Sequence, residues 1–413
     1  MGTTIPPLAE NVAATLEKFT GWLARYGELS WDHQSFFAGR VGSGAKALYY
    51  TNKLLGTAAV APMVFCEGFF PPARRLFHKP MRLPIADAHF AMGFAYLADT
   101  TGNAPAMEKA VHFLEVLKQT RCPDYQDYCW GYPFDWMTRN GVIKNQTPLI
   151  TTTPYAFEAF LLVNQIAPRA EWKSILASIT RHALTDIKDF KFSETGNTAS
   201  YTPHDDGKVV NASAYRATLL VSAAKLFDRA DWTAIAAKNV NFVLETQKPD
   251  GSWPYAVDGV RDFVDHFHTC FVMKALAKVY LITGEKRILD ALKRGVDYYL
   301  KNLFGEDGMP RPFSKAPRLT VYKCELYDCA ECINLCLLLR QEIPALQKTL
   351  ETVIGGILEN WVKPDGSFRS RKLMLGWDNV PMHRWAQSQM FRALAFYLHE
   401  EKTLNSQPST FNS

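Results

Sequence analysis

The sequence has little of what marks several large classes of protein. Among its 413 residues no run approaches about 18 consecutive apolar residues, and the most apolar segment, residues 57–70, is interrupted by Pro62 and Glu67. An integral membrane segment is therefore not expected. Cysteine is sparse at eight residues, which argues against a disulfide scaffold and suits a reducing compartment. The first 14 residues lack a basic segment followed by an apolar run, so we expect no secretory signal and a cytoplasmic protein.

Charge of one sign is also scarce. The 46 basic and 41 acidic residues leave a formal net charge of +5, and no block of Lys and Arg is longer than a pair, so a nucleic-acid partner is not expected. The length would suit two or three average domains, at about 150 residues each. A chain built from repeats can use the same length as one unit, so the periodicity has to decide.

Helical periodicity of two kinds alternates along the chain. Six segments are apolar nearly all round and begin at residues 86, 153, 211, 266, 327 and 383, which predicts six buried helices recurring every 55 to 67 residues. Segments with one apolar stripe and a charged face lie between them and predict surface helices: 105–120, 171–188, 231–246, 286–302 and 345–362, with 10–26 as an N-terminal member.

A repeated turn supports the same period. The hexapeptide Lys248–Trp253 (KPDGSW) recurs as Lys363–Phe368 (KPDGSF), each after a predicted surface helix. The pattern predicts an all-α fold, an (α/α)6 toroid of six inner and six outer helices forming a single domain over residues 1–402. Residues 1–85 would supply an outer helix and the connection that closes the ring, and residues 403–413 a disordered tail. An open solenoid is the alternative, but it needs polar caps at its ends.

The long loops between each outer helix and the next inner helix all emerge on one rim of such a ring. Six of the ten Trp and six of the ten His belong to these loops or to the starts of inner helices. The N-termini of the inner helices meet there too, which favours a bound anion such as a sugar carboxylate or phosphate. Aromatic faces suit pyranose rings, and Asp, His and Arg suit acid–base steps on glycans. A concave carbohydrate site is therefore predicted at this rim.

The candidate residues at the rim fall into two sets. Acid–base and charge-stabilising side chains are the candidate catalytic residues: His204, Asp205, Asp206, Tyr215, Arg216, Asp262, His266, His268, His383 and Arg384. The candidate substrate-binding residues are Asp32, Asp87, His89, Trp130, Tyr132, Asp135, Trp136, Trp253, Tyr255, Trp377, Asp378 and Trp385. Structural interpretations stand beside these: residues 205–207 as a capped turn, residues 130–136 as a rigid plug, and one of the two His at 266 and 268 as a packing residue.

Four clustered cysteines could suggest a metal site. Cys324, Cys329, Cys332 and Cys336 have a spacing that superficially resembles a zinc or iron–sulfur motif. Three of them fall at positions i, i+3 and i+7 of a predicted buried helix, where small thiols commonly pack. We therefore predict no metal site and no cofactor.

Two resemblances bear on function. Gln247–Trp253 (QKPDGSW) resembles the repeats of terpenoid cyclases and protein prenyltransferase subunits, which are α/α toroids, and residues 265–276 are similar to the stretch around the zinc histidine of prenyltransferase β subunits, which maps onto His268. In the preceding repeat, Asn211 and Ser213 stand where that family has its Asp and Cys ligands, and the acidic motif of proton-initiated cyclases is missing. Isoprenoid or prenyl chemistry is thus an alternative only.

The second resemblance covers nearly the whole chain. Residues 130–136 (WGYPFDW), 147–160, 211–217 (NASAYRA) and 250–271 are similar to poorly characterised proteins encoded in bacterial exopolysaccharide and lipopolysaccharide gene clusters. This resemblance implies a role in glycan assembly, with other polysaccharide-biosynthesis proteins as partners, and it assigns no catalytic residue.

The leading hypothesis is a carbohydrate-active enzyme of bacterial surface-polysaccharide biosynthesis that uses metal-independent acid–base chemistry on a glycan or uronic acid. A hydrolase would pair Asp205 or Asp206 with one of Asp135, Asp262 or Asp378. An epimerase or lyase would use His266, His268 or His383 as base, Tyr215 or Tyr132 as partner, and Arg216 or Arg384 to neutralise a carboxylate. A glycan-binding or scaffold protein without catalysis is the alternative from another class.

Overall fold

The computed structural model describes residues 7–317 and 319–406. In chain order its α-helices are α1 (Pro7–Tyr26), α2 (Ser35–Ala38), α3 (Arg40–Thr51), α4 (Lys53–Phe69), α5 (Arg74–Phe77), α6 (Pro84–Thr101), α7 (Ala104–Gln119), α8 (Thr153–Ile166), α9 (Ala170–Thr185), α10 (Val210–Phe227), α11 (Ala230–Glu245), α12 (His266–Thr283), α13 (Lys286–Asn302), α14 (Leu326–Leu339), α15 (Ala345–Asn360) and α16 (Ser388–Ser406). A single π-helical turn, His383–Gln387, leads into α16.

The helices form two concentric rings. The inner ring is α6, α8, α10, α12, α14 and α16, in which each helix packs against the next and α16 packs against α6 to close the circle. The outer ring is α7, α9, α11, α13 and α15, completed by α1, which packs against α16 and α15. The predicted (α/α)6 toroid is confirmed. Helix α16 extends to Ser406, and the rest of the predicted tail, residues 407–413, lies outside the described residues.

Residue type explains which helices lie inside. Helix α6 is buried on every side over its first three turns, and Gly93 on it lies so close to α16 that an added Cβ would sit 2.5 Å from the ring of Phe391. Helix α13 shows the other pattern: its buried residues follow the 3.6-residue period and its remaining positions are largely charged. A helix with one apolar stripe can bury only one of its faces, so it packs on the outside of the inner ring.

The repeated turns have a clear physical basis. Gly251 and Gly366 adopt φ of +92° and +94°, a conformation that side chains with a Cβ rarely take. The carboxylates of Asp250 and Asp365 accept hydrogen bonds from the backbone N–H and the hydroxyl of the Ser two residues later, at 2.7 to 3.0 Å. The two turns therefore fix where the rim loops after α11 and α15 leave those helices.

The rim loops carry short antiparallel strands. They are β1 (Trp136–Thr138), β2 (Gly141–Ile143), β3 (Asp189–Lys191), β4 (Asn197–Ala199), β5 (Val264–Asp265), β6 (Phe313–Lys315), β7 (Tyr322–Glu325), β8 (Arg371–Leu373) and β9 (Trp377–Asp378). Strands pair as β1–β2, β3–β4, β5–β6 and β7–β8–β9. The β5–β6 and β7–β8 pairs join neighbouring loops, whereas the other pairs are hairpins within one loop.

The N-terminal connection between α1 and α6 is largely helical. Helices α3 and α4 pack as a hairpin, and α3 also contacts β1, which places the hairpin beside the rim. Among residues 7–317 and 319–406, no helix has both the length and the apolar content that crossing a bilayer requires.

Candidate active site

A cavity of about 480 Å³ opens at the end of the ring where the inner helices begin. Each of the six inner helices, with the π-helical turn counted as the start of α16, places a side chain in its lining: Ile85, Tyr155, Asn211, His268, Tyr327 and Trp385. Rim loops and α3 complete the walls. The cavity is large enough for a small saccharide, and its position at six helix N-termini is the one expected from the sequence.

Aromatic rings form much of the lining. Tyr327 and Trp385 stack with ring centroids 4.3 Å apart and an interplanar angle of 7°. On another wall, Tyr255 stacks on Phe263 at 4.8 Å and meets His268 edge-on at 4.5 Å. Rings held rigidly by one another present flat apolar faces at little entropic cost, which suits the apolar face of a sugar ring.

A histidine–aspartate pair lies at the start of α12. Asp265 is the N-cap residue of this helix: its Oδ1 accepts a hydrogen bond from the backbone N–H of His268 at 3.1 Å. The other oxygen, Oδ2, lies 2.6 Å from Nδ1 of the same imidazole. Because a carboxylate only accepts hydrogen bonds, Nδ1 carries a proton and Nε2 is left free to accept one. Asp265 is buried, whereas the His268 side chain is 21% exposed and lines the cavity.

A second charged group of the site is an arginine that is held in one orientation. Arg384 donates from Nε and Nη2 to the two carboxylate oxygens of buried Asp32, at 2.9 and 2.6 Å. Although burial favours the neutral carboxyl, Arg384 and His33 hold the pKa of Asp32 far below its usual value. Nη1 of Arg384 donates to the Tyr132 hydroxyl at 3.2 Å, and the guanidinium lies 5.0 Å from the Trp385 ring centroid. The cation is thus locked in one orientation at the cavity wall.

His33 lies next to this pair. Burial lowers the pKa of its imidazole to about 4, with the attraction of Asp32 opposing the shift, so the ring is neutral at pH 7. Its Nδ1 lies 3.2 Å from Asp32 Oδ1, and its Nε2 lies 2.8 Å from Nε2 of Gln34. His33 therefore adds a neutral polar group beside the arginine.

The π-helical turn helps to aim the arginine. The N–H of Gln387 bonds the carbonyl of Met382, five residues earlier, at 3.0 Å. A wider turn at this point shifts the start of the last inner helix relative to a regular α-helix. Arg384 and Trp385 line the cavity, whereas His383 on the same turn lies behind them.

Nine of the sequence-predicted residues line the cavity: Tyr132, Trp136, His204, Asp205, Asp206, Tyr255, His268, Arg384 and Trp385. The two adjacent carboxylates do not form an acid–base pair. Asp205 accepts hydrogen bonds from the backbone N–H groups of Tyr201, Thr202 and Gly207, so it holds its own loop together. Asp206 is exposed and pairs with Lys208 at 2.6 Å.

Two predicted catalytic residues point away from the cavity. Arg216 lies on the outward side of α10, where its Nε donates to the carbonyl of Ala183 and its Nη1 pairs with Asp189 at 2.7 Å. The guanidinium is costly to bury unless paired, and this pairing lies between the two rings rather than at the rim. Asp262 is exposed on the rim and pairs with Lys315.

The other predicted histidines are packing residues in the structure. His266 is buried against α13, where its Nε2 bonds the hydroxyl of Tyr299 at 2.7 Å, and burial lowers its pKa to about 3. His383 is buried beneath α1 with its Nε2 3.0 Å from the carbonyl of Gly27, and burial lowers its pKa to about 4. Both rings are neutral at pH 7, and neither lines the cavity.

Two further predicted residues lie directly beneath the cavity floor. The hydroxyl of Tyr215 is 2.5 Å from that of Tyr155, which does line the cavity, and burial raises the pKa of both phenols well above the usual value. The His89 imidazole packs against the Tyr155 ring at 4.6 Å, and burial lowers its pKa well below the usual value. They support the floor without reaching the cavity.

The remaining predicted binding residues anchor the rim loops. The indole N–H groups of Trp130 and Trp253 donate to carbonyls on α7 and α11, both at 2.9 Å. Trp377 packs edge-on against the buried ring of Trp361, which follows α15. The loops need these anchors because they are long, which is why aromatic residues are frequent there whether or not they meet a ligand.

Three of the predicted carboxylates lie outside the cavity. Asp378 is fully buried and pairs with Arg74 at 2.6 Å, and Asp135 pairs with Lys144 on the surface. Asp87 lies under the rim, where burial raises its pKa to about 7 although a nearby guanidinium opposes the shift. Asp32, as described above, acts through Arg384 rather than facing the cavity.

The structure also brings residues to the cavity that were not among the sequence candidates. They include His33, Tyr155, Tyr201, Phe267 and Tyr327. An aromatic residue in the first turns of nearly every inner helix was the available signal for three of them. His33 is one of the six histidines that the sequence assigns to the rim, but its place beside Arg384 depends on contacts with residues more than 350 positions away.

The clustered cysteines are buried in the core around α14. Sγ of Cys324 lies 3.6 Å from that of Cys329, and Sγ of Cys332 lies 4.0 Å from that of Cys336. All four are free thiols. Within the part of the chain that the structure describes, no group of three or more His, Cys, Asp or Glu residues has a geometry that could hold a metal ion.

Sequence comparison with protein-family models gives no match, and comparison with curated proteins gives none either. Solved structures match the fold over most of its length. A D-mannose isomerase has a TM-score of 0.63 at 13% identity, over 96% of this chain and 99% of the isomerase. These solved structures share the (α/α)6 toroid fold of this chain.

Two other solved structures give the same result. An unsaturated glucuronyl hydrolase specific for heparin has a TM-score of 0.61 at 10% identity, over 96% of this chain and 98% of the hydrolase. Cellobiose 2-epimerase from Bacillus thermoamylovorans has a TM-score of 0.59 at 10% identity, over 76% of this chain and 87% of the epimerase. At such identities the likeness extends to the fold, and one fold hosts many chemistries.

Proposed function

We propose that the protein is a carbohydrate-active enzyme that removes a proton from a sugar carbon next to a carbonyl or carboxylate group, as an epimerase, isomerase or lyase does. The observation that carries the proposal is the pairing of His268 with buried Asp265, which leaves Nε2 of the imidazole as a proton acceptor on the cavity wall. The aromatic lining and the locked Arg384 suit the sugar ring and an anionic oxygen, respectively.

In the proposed reaction, the C–H bond breaks, the proton moves to His268 Nε2, and the electron pair moves onto the neighbouring carbonyl or carboxyl oxygen. Arg384 faces the negative charge that develops there, because its guanidinium is already fixed by Asp32. The intermediate then either regains a proton on its opposite face, giving the epimer, or expels an oxygen substituent from the next carbon, giving an unsaturated sugar. The Tyr132 hydroxyl, whose pKa burial raises, is the proton donor placed beside Arg384 for that second step, since both ring nitrogens of neutral His33 are already engaged by Asp32 and Gln34.

A hydrolase is less well supported by the cavity. Hydrolysis of a glycoside by the common mechanism needs two carboxyl groups on either side of the scissile bond. The two carboxylates in the lining are Asp205, whose oxygens are engaged by its own loop, and Asp206, which is exposed and paired. The similarity to bacterial polysaccharide-cluster proteins supports a finer proposal, that the substrate is a glycan or uronic acid used in surface-polysaccharide biosynthesis in the cytoplasm.

Proton exchange with solvent tests the proposal directly. The purified protein is incubated in deuterated water with a panel of reducing sugars, uronic acids and uronate-containing oligosaccharides, and deuterium incorporation is followed by NMR. We expect exchange at the carbon next to the carbonyl or carboxylate, and a loss of about 100-fold or more in His268→Gln. His204→Gln is the matched control, because His204 lines the same cavity with only a Tyr125 hydroxyl as partner. Hydrolysis without exchange, or full exchange in His268→Gln, would contradict the proposal.

The aromatic lining also favours a second candidate, a glycan-binding protein without catalysis. This candidate predicts that no panel member exchanges deuterium, whereas saccharide binding measured by calorimetry is unaffected in His268→Gln and is weakened about ten-fold or more in Trp136→Ala. The enzyme proposal predicts turnover by the unmodified protein. The two therefore differ in a single measurement on the same samples.

A further inference from the structure

The α3–α4 hairpin has an unusual outward face. Leu54, Ala58, Ala61, Phe65 and Phe69 recur at helical spacing along α4 and are all exposed. The exposed fractions of Leu54, Phe65 and Phe69 are 82%, 62% and 54%. Large apolar side chains lined up on one exposed helix face form a contiguous patch, which soluble monomers rarely present without a binding role.

The opposite face of α4 already makes the contacts that the fold needs. A Cβ at Gly56 would lie 2.1 Å from the Cα of Tyr49, so α3 and α4 are in backbone contact there. Met63 belongs to a small core with Phe36 at the base of the hairpin. A surface helix of a soluble protein normally turns its polar face outward. In α4 the outward face is the apolar one, and no charged residue lies between Lys53 and Glu67.

The charges around this patch have one sign. Arg40, Lys53, Arg75 and Lys79 are exposed on the hairpin and the segment that follows it. The sole acidic residue between positions 33 and 86 is Glu67, and its carboxylate already accepts a hydrogen bond from Arg371 at 2.6 Å. A second copy of the chain docked face to face would bring these basic residues together without acidic partners. An anionic surface complements both the apolar face and its basic border.

We propose that the α3–α4 hairpin docks the protein on an anionic lipid surface, with the apolar face of α4 at the level of the headgroups and the basic residues against lipid phosphates. An apolar helix face with basic flanks is the arrangement that binds membrane interfaces without crossing them. The hairpin is also part of the site, since Lys46 and Tyr50 on α3 line the cavity. Docking therefore brings the mouth of the cavity close to the lipid headgroups, where a membrane-linked glycan would be within reach.

Co-sedimentation with vesicles tests this inference. The full-length protein is mixed with phosphatidylcholine vesicles that contain or lack one third phosphatidylglycerol, at low and high salt. We expect binding to the anionic vesicles that falls as salt rises. The double variant Phe65→Glu and Phe69→Glu should bind at least about ten-fold more weakly, and neutralising Arg40 and Lys53 to Gln should cost about five-fold per charge.

The control variant is Leu281→Glu, which adds the same charge at an exposed apolar position near the far end of α12. It should bind vesicles as the unmodified protein does. Thermal unfolding checks that each variant is folded, and Leu54→Glu replaces the double variant if that one is not. Failure of the unmodified protein to bind anionic vesicles at low salt overturns the proposal. An equal loss of vesicle binding in Leu281→Glu also overturns it. So does a protein that forms a dimer in sedimentation velocity and does not bind vesicles, if Phe65→Glu disrupts that dimer.

Discussion

Asp265 has two roles that can be separated by substitution. One carboxylate oxygen caps α12 by accepting the backbone N–H of His268, and the other fixes the imidazole of the same residue through Nδ1. Asn retains the capping ability of Asp, whereas Ala loses it, so Asp265→Ala should lower the free energy of unfolding by about 1 kcal/mol and Asp265→Asn by a few tenths. Denaturant unfolding measures this difference without any substrate.

The second role predicts a different ranking. The Asn side chain can donate its N–H to Nδ1, which moves the ring proton to Nε2 and removes the proton acceptor from the cavity. Deuterium exchange into the substrate should therefore fall by about 100- to 10,000-fold in Asp265→Asn, as far as in Asp265→Ala. Nitrogen NMR of the His268 ring reports the tautomer in the same sample. Exchange within about three-fold of the unmodified protein in Asp265→Asn, with the ring proton moved to Nε2, would refute the proposed role of His268.

Three further substitutions test the packing and the charges. Asp378→Ala leaves the Arg74 guanidinium buried without its ion-pair partner and should cost about 3 to 5 kcal/mol in the free energy of unfolding, against at most about 1 kcal/mol for the exposed pair removed by Asp206→Ala. Gly251→Ala should cost more than 1 kcal/mol by the same denaturant assay, because φ is +92° and the added Cβ would lie 2.3 Å from a backbone oxygen of α13. Burial raises the folded-state pKa of Asp87 to about 7, so the contribution of this carboxyl to stability is present at low pH and is lost as pH rises from about 4 to 7. Over that interval the free energy of unfolding of the unmodified protein should fall by about 4 kcal/mol relative to that of Asp87→Asn. Parallel pH profiles of the two proteins would contradict this.

Periodicity alone was enough to predict the ring. The inner helices begin within two residues of the predicted starts at five of six positions, and the last begins with the π-helical turn at His383 itself. This succeeds because burial on all sides demands a nearly continuous apolar helix, and such segments are easy to distinguish from one-sided helices. The two copies of the Asp-Gly turn add independent evidence, since a positive φ selects for glycine.

The direction of each side chain could not be predicted in the same way. His266 and His268 are two residues apart at the start of α12, so they point to nearly opposite sides of the helix, and the sequence does not say which side meets the cavity. The structure turns His266 toward Tyr299 on α13 and His268 toward Asp265 and the cavity. The choice depends on how the helix is rotated in the ring, which is set by contacts with both of its neighbours.

The helical hairpin before α6 illustrates a second limit. The sequence predicts only that residues 57–70 are too interrupted to span a membrane and that this connection closes the ring. Helical periodicity predicts the fold because apolar residues usually face the core. In α4 the apolar stripe faces outward, so the same rule predicts the wrong face of this helix as buried. An apolar stripe that does not pack against the rest of the fold instead indicates a surface for a binding partner.

The seam of the ring has a consequence for how the protein is made. Arg384 bonds Asp32 across 352 positions of sequence, and Arg74 bonds Asp378 across 304, so both contacts join the segment before α6 to the segment just before α16. Until α16 leaves the ribosome, α6 has no neighbour on one side and the cavity has no fixed arginine. The candidate site therefore takes its final form only once α16 has docked, and a chain truncated before residue 380 would keep most of its helices but lack Arg384 and Trp385.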